Sequence, residues 1–87
     1  MAIKVNILLV ENKFDQSLEI LKKIEPINKR LSLYNFGFFY EYDGNPYQDY
    51  NKSLEYFNEA FKSGDFRAKN DIKRIEKKLK SFLIHRL

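Results

Sequence analysis

Few side chains in this sequence are placed for catalysis. His85 is the single histidine, near the C-terminus, with no carboxylate or thiol close to it in sequence; acid–base work needs a positioned partner. Asp43 and Asp49 flank a loop containing Gly44 and Asn45. A calcium loop needs a twelve-position ligand pattern, which is absent, and Asp49 is better placed as a helix cap. There is no cysteine, so disulfides and thiolate metal sites are excluded. Glycine-rich phosphate loops, paired-carboxylate motifs and serine elbows are missing too. The residues therefore point away from an enzyme and call for no cofactor. Recognition chemistry is better represented. Tyr34, Phe38 and Tyr42 recur at i, i+4 and i+8, one stripe along a helix, while Lys69, Lys73, Lys77 and Lys80 share a side of another.

The elements that must position these residues read as helices. Phe14, Leu18, Leu21 and Ile24 lie on one helical face, with Ser17 small beside them. Adding 36 to these positions gives Tyr50, Leu54, Phe57 and Ala60, and Ser17 maps onto Ser53. Asp49 is the expected N-cap of that second helix and Gly64 its left-handed C-cap, with Asp65 available to cap the next. Asp43-Gly44-Asn45-Pro46 is turn chemistry, Pro46 holding Asn45 extended. Glu25-Pro26 ends the helix before it, and Pro26 suits the first turn of the next. Ala68, Ile72, Ile75, Leu79 and Phe82 form a last apolar stripe at spacings of 4, 3, 4 and 3. Five helices are expected, roughly over residues 2–11, 14–24, 27–42, 50–63 and 66–84.

The first of these is contested by local propensity. Val5 to Asn12, VNILLVEN, reads alone as a strand, and ILLVEN before a helix resembles the opening of a response-regulator receiver domain. A receiver needs an adjacent acidic pair for magnesium; here Glu11 precedes Asn12, and four further strands have neither length nor pattern. The internal repeat favours a helix.

Residues 33–68 resemble a Sel-one-like repeat, the loop-bearing relative of the tetratricopeptide repeat. Gly37, Tyr40, Asp49, Tyr56, Phe57, Ala60, Gly64 and Ala68 fall in that family's register without a gap. Ser53 stands for the first helix-B alanine and Phe61 for the second of an Ala-Ala pair; Gly44 comes one place late, and Asn45 replaces a second loop glycine. The resemblance covers about two-fifths of the chain, and a period near 34–36 residues is usual for such repeats. It implies an all-α fold: a short right-handed α-solenoid of antiparallel helix pairs, two and a half repeats in one domain over residues 1–87. It also implies a concave binding face lined by the first helix of each pair. Carried onto this sequence, that face holds Tyr34, Phe38, Glu41 and Tyr42 on the second such helix. Lys69, Lys73, Glu76 and Lys77 follow on the third, and Asn6, Leu9 and Val10 on the first. An adaptor, inhibitor or immunity-type protein is then expected, binding an acidic or amphipathic segment of another protein.

Charge supplies the alternative. Residues 1–65 carry eight Lys/Arg against ten Asp/Glu, a net of −2, whereas residues 66–87 carry eight against two, a net of +6. The basic character belongs to the last helix, so a small nucleic-acid-binding protein using that helix is the rival expectation. No stretch approaches the roughly 20 apolar residues of a membrane span and no signal peptide is evident, which makes the cytoplasm the expected location. Phe82, Leu83, Ile84 and Leu87 are apolar for a solvated tail. They are expected to pack back on the domain or to support weak self-association.

Overall fold

The computed structural model describes residues 8–86, and the backbone alone for Phe82, Ile84, His85 and Arg86. Residues 8–10 are helical, and four helices follow: α1 (Phe14–Ile24), α2 (Lys29–Glu41), α3 (Tyr50–Lys62) and α4 (Ala68–Arg86). No strand occurs among the described residues. The expected first helix is thus seen only in its last turn, and the rest of it, with Asn6, lies outside the described residues. Each helix from α1 onward packs on the next, within a slab of 41 × 29 × 16 Å.

Local chemistry sets the helix ends. The turn at residues 8–10 closes with Asn12 at φ 61°, while Lys13 N–H reaches Leu8 O (2.8 Å) and Asn12 N–H reaches Leu9 O (3.1 Å). α3 closes the same way: Gly64 sits at φ 102°, Asp65 N–H bonds Ala60 O and Gly64 N–H bonds Phe61 O, both at 3.0 Å. Glycine and asparagine tolerate this left-handed residue best. Asp49 caps α3 by accepting Lys52 N–H at 3.1 Å. Two expected boundaries move. Asn28 caps α2 through Leu31 N–H, so Pro26 falls in the preceding turn and not in the helix. The Asp65 carboxylate is taken by Arg67, Nε and Nη2 at 2.8 and 2.7 Å, while the Asp65 backbone carbonyl receives Ala68 N–H.

The core has two parts, and α2 serves both. One gathers Leu9, Phe14, Leu21, Ile24, Phe36 and Phe39; the other gathers Leu33, Phe57, Ala60, Ala68 and Ile75. This explains why aromatics cover more than one face of α2: a helix with neighbours on two sides must be apolar on both. Phe39, which lies outside the Tyr34, Phe38 and Tyr42 stripe, is fully buried. The α2–α3 crossing depends on small groups. A Cβ on Gly37 would stand 2.6 Å from the fully buried Phe57 ring, and Ser53 Oγ donates to Gly37 O at 2.7 Å. Ser17, the positional counterpart of Ser53, is equally buried, but its hydroxyl has no partner.

The loop after α2 is anchored at both ends. Asn45, only 5% exposed, donates from Nδ2 to Phe39 O at 2.7 Å and accepts Tyr47 N–H at 3.0 Å. Tyr47 O–H in turn donates to Asp15 on α1 at 2.7 Å. The loop thereby holds the end of α2 in place, and that end forms the centre of the groove described next.

A candidate groove between the helical turn at residues 8–10, α2 and α4

Three alternate elements of the chain line one open groove of about 600 Å³. Leu9 and Val10 come from the first turn; Phe38, Glu41, Tyr42 and Asp43 come from α2 and the residues after it; Arg74 and Lys78 come from α4. Val10 is 69% exposed and unsupported, whereas the α2 aromatics are held from behind. Phe38 meets Phe57 edge-on at 5.1 Å and Tyr34 at 5.0 Å, and Tyr42 leans on Phe14 at 6.1 Å.

Glu41 is the hinge of the polar wall. Although buried, it receives Arg74 Nε and Nη2, each at 2.7 Å, and Lys78 Nζ at 2.8 Å. Arg74 Nη1 also donates to Asp71 at 2.6 Å, and Tyr34 O–H donates to the other Asp71 oxygen at 2.8 Å. Five side chains thus lace α2 to α4 with two carboxylates and two cations, and the wall carries no net charge. Burial pushes the Glu41 carboxyl up, but the hydrogen bonds from Arg74 and Lys78 together hold it below the usual carboxylate range. The bond to Glu41 raises the Arg74 guanidinium further still, against burial. Burial first, and the bond to Asp71 second, push the Tyr34 phenol up to about 12.

The expected binding residues divide here. Phe38, Glu41 and Tyr42 line the groove, with Leu9 and Val10 across from them. Tyr34 does not line it: it is half-buried under Arg67, 4.3 Å from ring centroid to guanidinium carbon, and is spent on Asp71. Phe38 and Tyr42 therefore form a floor packed from behind, and the three aromatics are not a free stripe. Lys69, Lys73 and Lys77 are exposed, and none lines the groove. At about 100° per residue, the stripe Ala68, Ile72, Ile75 and Leu79 places Arg74 and Lys78 on one flank of α4 and those lysines on the other. Arg74 and Lys78 were missed from sequence. The available signal was Asp71, Arg74 and Lys78 at i, i+3 and i+7, an acid sharing a face with two cations.

The arrangement suits recognition. Three of the five Arg74 N–H donors and one of the three on Lys78 are engaged, leaving donors for a ligand. Asp43 and Asp49 do not converge: Asp49 is the α3 cap, and Asp43 Oδ1 accepts Gln48 Nε2 and Tyr50 O–H. Among the described residues no helix is long and apolar enough to cross a membrane. Scans of protein-family models, curated proteins and solved structures returned no match to this chain.

Proposed function

We propose that this protein is a non-enzymatic protein-binding module, a short α-solenoid of the Sel-one-like kind, whose groove takes a segment of a partner protein. The observation that carries this reading is the groove itself, lined in turn by three elements that alternate with α1 and α3 along the chain. Stacked helix pairs create such continuous faces, and repeat proteins bind along them. The lining supports an amphipathic segment. Val10, Leu9, Phe38 and Tyr42 offer apolar contact, and the spare donors of Arg74 and Lys78 suit an acidic side chain beside it.

Val10 is the position to test because its side chain is exposed and holds nothing else together. The parent and Val10→Asp are each used to recover partners from the native source, with melting temperatures measured in parallel. The expected result is one protein retained by the parent and lost by the variant while the melting temperature barely moves. Equal recovery by both removes the groove from consideration.

A further inference from the structure

Of the seven lysines and arginines from Arg67 to Lys80, three are already paired: Arg67 with Asp65, Arg74 with Glu41 and Asp71, and Lys78 with Glu41. The four that remain, Lys69, Lys73, Lys77 and Lys80, are all exposed, have no ion pair among the described residues, and lie along one flank of α4. They span 12 residues, about 16 Å of helix. Glu76 is the one carboxylate between Lys69 and Lys80 on that side, and it pairs with none of them. Immediately before the row stands Phe66, 72% exposed, its ring steadied edge-on by Phe61 at 5.6 Å.

We propose that this outward flank of α4 binds single-stranded nucleic acid, the lysines following the phosphate backbone and Phe66 offering a face for one base. The surface charge is complementary to a polyanion. A membrane would need an apolar strip beside the lysines, but the apolar stripe of α4 is committed to the core, Ala68 and Ile75 being fully buried. A protein interface needs large anchors at its centre, and none lies within the row. A backbone of phosphates binds through charge alone, and an exposed ring adds sequence-tolerant stacking. This site is independent of the groove.

The test is fluorescence anisotropy with a labelled mixed-sequence single-stranded DNA of about 20 nucleotides. With about four phosphate contacts, affinity should fall roughly 50-fold between about 50 and 200 mM salt. Replacing all four lysines by glutamine should abolish binding. The pair Lys73→Gln and Lys77→Gln should halve the salt slope, and melting curves verify that both variants fold. Phe66→Ala should weaken binding about fivefold or more without changing the slope, and Val10→Asp should bind like the parent. The proposal is overturned if the parent fails to bind at the lower salt, or if either lysine variant binds like the parent. Equal affinity for a duplex of the same sequence, or binding only to phosphatidylserine vesicles, overturns it as well.

Discussion

The two flanks of α4 are built from the same residue types and do different things. On the side facing α2, Arg74 and Lys78 are locked to Glu41 and Asp71, with every charge matched at 2.6–2.8 Å. On the outer side Lys69, Lys73, Lys77 and Lys80 point into solvent with no partner among the described residues. The inner cations hold helices together and shape a groove; the outer ones hold nothing and are available to a ligand. A basic helix is therefore two surfaces, and the division between them is set by what packs beside it.

The strongest way to break this contrast is to empty the inner flank. Glu41→Ala leaves Lys78 without its partner and Arg74 held by Asp71 alone, at an expected cost of about 2–3 kcal/mol in chemical denaturation. The figure stays below that for a fully buried pair because both cations are partly exposed. A loss under about 0.5 kcal/mol would mean that the inner flank is no more structural than the outer. Acid sharpens the same point. A carboxyl held low in the folded state contributes stability that is complete above its unfolded value, near 4.3, and is lost as pH falls through the lower folded value. The stability gap between parent and Glu41→Gln should accordingly narrow as pH is lowered from about 6 to about 3; a constant gap would count against the paired carboxylate. Tyr34→Phe removes only the bond to Asp71 and should cost about 1 kcal/mol. Lys73→Gln and Lys77→Gln should each change stability by less than about 0.5 kcal/mol. A larger change in either would show that the outer flank supports the fold.

Much of the architecture was legible because it rests on local rules. The spacing of Phe14, Leu21 and Ile24 and of Phe57 and Ala60 marks core positions that are indeed buried, and Asp49 and Gly64 perform the caps expected of them. Gly37 and Ser53, both positions of the repeat register, meet at the close α2–α3 crossing. The misplacements share a cause. Pro26 and Asp65 are the right residue types for a first turn and a cap, but a neighbour competes better: Asn28 for the cap, and Arg67 for the carboxylate. At the C-terminus Leu83 is 62% exposed and does not pack back, while the side chains of Phe82, Ile84, His85 and Leu87 lie outside those described.

The candidate site was legible in outline. Phe38, Glu41, Tyr42, Leu9 and Val10 could be named from sequence, but their depth could not. Tyr34 and Phe38 repeat at the right interval for a surface stripe; whether such a stripe is wet depends on the neighbouring helices, and here Phe57 lies behind both rings. Sequence alone determined the helical periods, the turns, the caps and the excess of positive charge after residue 65, because each depends on residues within a turn or two of one another. Tertiary structure alone decided which cations that charge leaves free. Glu41 and Arg74 are 33 positions apart and meet only when α4 docks against α2, and a salt bridge across that separation leaves no periodic trace in the chain.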